Sequence, residues 1–288
     1  MIYILLSVLI NAVLFILFKV FDRFKIDTFQ AIVFNYFFAL SVAFLQSETK
    51  VSLTEIATKK WFLGAVILGF LFITIFNVLA KTAQKMGISV VAVASKMSVV
   101  VPVLFGIIMY NEALGWYKII GIILALLAVY LTSVKEKTTI NKKLIYLPII
   151  LFLGSGILDT LLKYVEKNYV PKTELGNYTG TIFLTAAILG SLALLYAVIS
   201  KKAKISVKNI VAGLALGIPN YYSIYFLLRA LQTVGKTDSS KVFTLNNIGI
   251  VLVSTILGFL LFHEKFSLKN KIGILLAIIS IALITLAN

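Results

Sequence analysis

The sequence predicts an all-α membrane protein with ten transmembrane helices arranged as two inverted five-helix repeats. Three observations lead there. First, 60% of the 288 residues are hydrophobic, only 13% are charged, and the mean hydropathy is +1.03. A soluble domain carries roughly 25% charged residues, so too few charges remain here to cover a water-facing shell. Second, apolar runs of about twenty residues, long enough to cross the hydrocarbon core, recur along the whole chain. Third, polar landmarks of the first half return in the same order in the second.

The ten runs cover Ile2–Val20, Thr28–Gln46, Trp61–Ala80, Ile88–Tyr110, Trp116–Val134, Leu144–Lys163, Leu175–Ser200, Ile210–Leu231, Val242–Phe262 and Leu268–Ala287. Within lipid, only helices and closed barrels satisfy the backbone. Barrel strands alternate every second residue over about ten positions, and these runs do not, so the expected architecture is helical with short loops and no soluble domain. The first run is expected to be a retained span rather than a cleaved signal peptide. No lysine or arginine precedes it, and Lys19, not a small-residue cleavage site, marks its end. Insertion by the default route places a multi-pass protein in a plasma or inner membrane.

The net charge of +16 comes from 27 basic residues against 11 acidic ones. The basic residues fall in small loop groups, such as Lys201, Lys202 and Lys204, between apolar runs. That distribution fits loops beside membrane spans and not a nucleic-acid surface. Loops on the side away from both termini hold more lysine and arginine than loops on the termini side. By the positive-inside tendency this favours termini outside.

Enzymatic equipment is not visible. There are no cysteines and His263 is the one histidine, so neither a disulfide scaffold nor a histidine–cysteine metal cluster is expected. No intramembrane Ser/His/Asp triad or carboxylate dyad is available. The stretch from Ala230 to Gly235-Lys236-Thr237 loosely matches a phosphate-binding loop. It follows a membrane span, however, where that loop requires a strand. Asn177-Tyr178-Thr179 fits a glycosylation sequon but lies inside a span. No cofactor or metal is expected.

The chain repeats itself. Lys19, Asp22 and Arg23 recur 144 positions on as Lys163, Glu166 and Lys167. Asn35 and Tyr36 recur at 142 as Asn177 and Tyr178. Gly69, Gln84 and Gly87 recur at 148 as Gly217, Gln232 and Gly235. Glu112, Gly121 and Ala125 recur at 152 as Glu264, Gly273 and Ala277. The units are therefore 1–138 and 139–288, with five helices each. Five is odd, so the second unit enters the membrane facing the opposite way. Inverted repeats of this kind are typical of secondary transporters with a midplane substrate site.

Ionisable groups inside a span cost at least ~2.5–3.5 kcal/mol at mid-helix and so face a cavity or a partner. Lys96 lies in the body of the fourth span and Asp159 in that of the sixth; Lys19 and Lys163 close the first and sixth. Asp159 and Lys163, four apart, share a helix face. Snorkelling to the interface is the competing reading for Lys19 and Lys163. The eighth span carries Pro219, Asn220, Tyr221, Tyr222 and Tyr225, where the proline can kink the helix and leave carbonyls to a ligand. Asn77, Asn246, Asn247 and Asn11 complete the polar set, with interhelical hydrogen bonding as the alternative for any single asparagine. The expected substrate-binding residues are Lys19, Asn77, Lys96, Asp159, Lys163, Asn220, Tyr221, Tyr222, Tyr225 and Asn246, with Asp159 the proton-coupling candidate. Glu112 and Glu264 read instead as helix-terminus charges. Gly121 with Ala125, and Gly273 with Ala277, read as close-packing faces.

This pattern resembles the drug/metabolite transporter superfamily, specifically EamA-like proteins, over the whole chain. The residues that carry the resemblance are Lys19, the turn Tyr110-Asn111-Glu112-Ala113-Leu114 followed by Gly121, and Phe262-His263-Glu264-Lys265 followed by Gly273. One departure is Asn11-Ala12, where the family often has Trp-Gly. The resemblance implies a central cavity lined by helices one, three, four, six, eight and nine. It also implies termini inside, against the loop charges, and outward movement of small metabolites without a cofactor. More lysine than carboxylate among the candidate residues favours a small anionic or zwitterionic solute, and the bilayer is the other expected partner. The sequence leaves two other classes open: a membrane sensor with a chromophore on Lys96, and a lipid-scrambling or assembly protein that moves no solute.

Overall fold

A computed structural model describes residues 2–46, 52–110, 115–133, 144–234 and 239–286. The first half holds α1 (Ile2–Arg23), α2 (Thr28–Leu45), the short α3 (Leu53–Thr58), α4 (Phe62–Met86), α5 (Ile88–Met97), α6 (Val100–Tyr110) and α7 (Trp116–Ser133). The second holds α8 (Tyr146–Tyr169), α9 (Leu175–Ile199), α10 (Val207–Val234), α11 (Ser239–Phe262) and α12 (Leu268–Leu286). Ten candidate spans result among the described residues, with α5 and α6 together making the fourth. Several helices outrun the apolar runs that announced them. In α4, Lys81 and Lys85 are exposed while Thr82, Ala83 and Met86 are buried, so an amphipathic turn continues the helix past Ala80. Gly87, at φ 111°, ends it; a side chain resists that conformation.

The contacts divide the chain into two units. The first comprises residues 1–19, 78–157 and 222–288, the second 20–77 and 158–221. The chain passes between them at Lys19–Val20, Asn77–Val78, Ile157–Leu158 and Tyr221–Tyr222. Helices α1, α4, α8 and α10 therefore each belong partly to both.

In the first unit α7 packs on α12 along a stripe of small residues. A Cβ on Gly121 would stand 3.3 Å from the backbone nitrogen of Ile284, and one on Gly273 would stand 2.9 Å from that of Thr132. Thr132 and Ile284 are themselves 152 apart, the offset that relates the two glycines. The start of each helix thus meets the end of the other, as a two-fold axis between antiparallel partners requires. Ala125, Ala128, Ala277 and Ser280 fill the stripe, all fully buried. Ser280 donates to the carbonyl of Gly121 at 2.7 Å, and Asn270 donates to those of Leu131 and Thr132 at 3.0 Å. The opposite face of α7 exposes Ile120, Ile123, Leu126, Leu127 and Tyr130. Such a face suits lipid.

The second unit repeats the logic with parallel neighbours. A Cβ on Gly69 of α4 would meet the carbonyl of Ile182 in α9 at 2.8 Å, and one on Gly217 of α10 would meet that of Asn35 in α2 at 2.7 Å. These reciprocal contacts relate Asn35 to Ile182, an offset of 147. The Asn-Tyr match at 142 is therefore a coincidence of composition. Tyr36 packs against Phe76 and Phe183 in mid-helix, whereas Tyr178 sits in the first turn of α9 with its ring edge-on to Trp61.

Corresponding helix starts in this unit are tied down by different chemistry. At α2, Asp27 accepts from the Gln30 backbone and side chain, Asn209 donates to the Gln30 amide oxygen, and Gln30 donates to the Lys204 carbonyl. At α9, Glu174 accepts from Lys59 and from the Trp61 indole, both at 2.8 Å. The Lys59 ammonium and the Trp61 N–H hold the Glu174 carboxyl below its ordinary range, while Glu174 and then Glu55 hold Lys59 above its own. The sign follows from linkage. Glu174 contributes stability above about pH 4.5, its ordinary value, and loses it as pH falls through its depressed value. Lys59 contributes below about pH 10.5 and loses it as pH rises through its raised value. In melting curves of the purified protein, Glu174→Gln is expected to flatten the acid limb, and an unchanged limb would take Glu174 out of it.

Candidate functional site

The fourth span is broken just past Lys96, the residue the sequence singled out. Pro102 has no N–H, so the carbonyl of Ser98 cannot receive the helical bond four residues on. Val101 takes it instead at 2.9 Å, three residues on, and Val99 reaches back to the Lys96 carbonyl at 3.5 Å. Residues 98 and 99 form a turn between α5 and α6. Lys96 stands in the last turn of α5, half-buried, among Val91, Ala92, Val93, Ala94, Ser95 and Met97, all buried. The Ser95 and Ser98 hydroxyls donate to the carbonyls of Val91 and Ser95 at 2.8 and 2.5 Å. Broken helices, whose half-helix ends present N–H groups and carbonyls, line the solute and ion sites of many transporters. Pro102, readable in the sequence as a proline inside an apolar run, is the signal the sequence reading passed over. It singled out Pro219, but α10 runs through Pro219 without interruption.

The other candidates in the first unit fall into two groups. Tyr222 and Tyr225 on α10 form an aromatic cluster with Phe226, at centroid distances of 5.9, 5.7 and 5.5 Å, and Phe226 stacks on Tyr3 of α1 at 6.2 Å. Arg229 lies over the Tyr225 ring at 5.3 Å and donates to its hydroxyl at 3.0 Å, a cation–π contact with a hydrogen bond added. Tyr3, Phe226 and Arg229 were not among the expected residues. Asn246 on α11 is buried, and its side-chain oxygen has no hydrogen-bond partner among the described residues; nor has the hydroxyl of Ser254 two turns on. Buried polar atoms are nearly always satisfied; the hydroxyls of Tyr36 and Thr255 are likewise without a partner among the described residues.

In the second unit Asp159 is half-buried on α8. The side chain of Lys163 lies outside the described residues, so its expected pairing with Asp159 is not addressed. Asn220 is buried and donates to Asn35 at 3.1 Å, beside the Gly217 contact. Such bonds contribute about 0.6 kcal/mol on average. Tyr221 donates to Gln46 at 3.0 Å. Asn77 donates to the Ile73 carbonyl of its own helix at 2.7 Å, as Asn11 of the first unit does to Ser7 at 2.9 Å.

Lys19, in the first unit, donates to the Gln84 carbonyl at 3.0 Å while Gln84 donates to the Phe18 carbonyl at 3.1 Å, a reciprocal latch between α1 and α4. Close by, Glu264 caps the start of α5. One of its oxygens accepts from the Ile88 backbone at 2.7 Å, the other from the Ser89 hydroxyl at 3.0 Å and its backbone at 3.4 Å. Gly87 and Gly258 make the room: a Cβ on either would stand 2.6 or 2.7 Å from that carboxylate. A negative charge at a helix start complements its dipole. The expected helix-terminus role thus appears, but at α5 rather than at the span that follows Glu264. Glu112 and its turn, and the Gly235-Lys236-Thr237 segment, lie outside the described residues. Removing the Glu264 carboxylate orphans buried donors, so Glu264→Ala is expected to cost about 1–3 kcal/mol. Glu264→Gln, which keeps an acceptor, is expected to cost less; equal unfolding midpoints for all three proteins would contradict the capping role.

The sequence profile of the EamA-like transporter family matches residues 1–134 and 142–286, once in each half. An uncharacterized protein of Haemophilus influenzae is 27% identical over 282 residues, covering 96% of this chain and 94% of its own. A solved crystal structure superposes with a TM-score of 0.58 at 15% identity, covering 97% of both chains, a likeness of fold.

Proposed function

From the premise that the chain belongs to the EamA-like transporter family, we propose that it is a secondary transporter of the plasma or inner membrane. It moves small polar or amphipathic metabolites by alternating access, as an exporter or exchanger. The observation that carries this reading is the break in the fourth span with Lys96 at its edge. Interrupted helices at membrane depth occur where backbone lines a cavity.

The solute is an anion or zwitterion. Lys96 neutralises its carboxylate or phosphate. Asn246 supplies a hydrogen bond, and Tyr222 and Tyr225 supply ring faces and hydroxyls. Asp159 carries the coupled proton, and Asn77, Asn220, Tyr221, Lys19 and Lys163 belong to the same proposed substrate-binding set.

A melting screen of the purified protein against amino acids, nucleotides and organic anions tests the solute class. A ligand of the folded state raises the midpoint by mass action. Stabilisation confined to cationic or neutral compounds would overturn the anion reading. With the solute in hand, proteoliposomes carrying Asp159→Asn are expected to exchange solute but to lose acceleration by an imposed pH gradient. Full acceleration would remove Asp159 from the coupling.

A further inference from the structure

The first unit holds a cavity of about 270 Å³ that shares Lys19 alone with the proposed substrate-binding residues. Lys19, Ser89, Glu264 and Lys265 line its polar side, and Phe262 and Phe266 its apolar side. It sits where α11 ends at Phe262 and α12 begins at Leu268, at the level where spans meet the interface. We propose that this cavity binds the phosphate headgroup of one anionic phospholipid from the surrounding bilayer.

Charge is the first argument. Both Glu264 oxygens accept from the start of α5 and from Ser89, so the acid is matched by donors within the wall. Lys19 and Lys265 line the same cavity, two cations against one carboxylate. Lys85, next to the lining residue Met86, and Lys269 and Lys271, in the first turn of α12, are exposed beside it. Basic pockets between spans recruit anionic headgroups, at about 1 kcal/mol for each lysine near the surface. Composition is the second argument. A free inorganic anion has no use for phenylalanine walls, whereas a lipid brings glycerol and the start of an acyl chain against Phe262 and Phe266. Position is the third: headgroups lie at span ends at all times, so such a site is filled by the membrane itself, whatever solute is carried.

The test uses the full-length protein in neutral detergent micelles doped with phosphatidylglycerol or, at the same mole fraction, phosphatidylcholine. Native mass spectrometry reads the bound lipid and melting reads the stabilisation. One phosphatidylglycerol per chain is expected to survive transfer, with a midpoint increase that phosphatidylcholine does not give. Lys19→Gln with Lys265→Gln is expected to weaken that binding at least tenfold, since about 1 kcal/mol per lysine is roughly fivefold each. If that pair does not fold, Lys265→Gln with Lys269→Gln, both at exposed positions, serves instead and is also expected to weaken it. Lys201→Gln with Lys202→Gln, the same charge change in the second unit, is expected to leave it intact. Three results would overturn the proposal: equal stabilisation by the two lipids, equal loss from the Lys201 and Lys202 pair, and the full midpoint increase from sodium phosphate alone. The last would mark a free-anion site.

Discussion

Gly213→Val is expected to prevent the second unit from assembling. A Cβ at this position would lie 2.4 Å from the Phe34 Cβ, 3.0 Å from the Ala31 carbonyl and 3.1 Å from the Asn35 nitrogen. None of these is the far end of a flexible side chain, so only a shift of α10 away from α2 relieves the clash. That shift would also strain the Gly217 contact and the Asn220–Asn35 bond, both on the same pair of helices. Overpacking costs typically 1–3 kcal/mol where side chains can move; with backbone in the way, at least about 3 kcal/mol is expected. The readout is the monodisperse fraction and melting midpoint of detergent-extracted protein. Gly180→Ala is the control. There a Cβ meets only the Phe44 ring, at 3.6 Å, and the exchange of glycine for alanine in a helix gains up to about 1 kcal/mol. A Gly213→Val protein that melts with the parent would show that α2 and α10 do not pack as described.

How far the sequence carried the fold turns on which signals hydrophobicity encodes. Span number and duplication were legible because a bilayer imposes one length and one composition on every crossing. Gly121 and Gly273 were legible for a related reason: close helix approach admits few residue types, so the repeat kept the same ones at the same offset. Three-dimensional partners were not legible. Glu264 looked like a cap for the helix it precedes in sequence, but its carboxylate reaches α5, 175 and 176 positions back at Ser89 and Ile88. No local pattern records that distance. The Asn-Tyr pair failed for the opposite reason. Two identical residues matched by chance, while the true counterpart of Asn35 is Ile182, which shares only a backbone carbonyl beneath a glycine.

The candidate site was legible in its charges and not in its backbone. Lys96 stood out because an ammonium in an apolar run has an evident cost. The break beside it did not, because Pro102 counts as one more apolar residue on a hydropathy ruler. The polar asparagines divide in the same manner. Asn77 and Asn11 spend their amide donors on their own helices and Asn220 on Asn35, whereas the Asn246 oxygen has no partner among the described residues. Side-chain type alone does not separate these cases; the position of the neighbouring backbone does.

Lys96→Met is expected to leave the protein folded and to remove transport. Methionine matches the lysine stem in length and flexibility and relieves the span of a charge whose mid-helix cost is at least ~2.5–3.5 kcal/mol. A lysine kept for packing would therefore lose nothing on this exchange, and the melting midpoint is expected to hold or rise. If the ammonium neutralises the solute, the variant loses a charge-assisted bond of about 1.5–3 kcal/mol, roughly a 10- to 150-fold fall in apparent affinity. Lys96→Arg keeps the charge but replaces a compact ammonium with a broad planar fork, so weaker, incomplete transport is expected from it. Uptake into proteoliposomes, with the melting midpoint measured on the same preparations, separates the two readings. Parental transport by Lys96→Met would dismiss the lysine as the anion's partner, and with it the reason for placing the solute at the break in the fourth span.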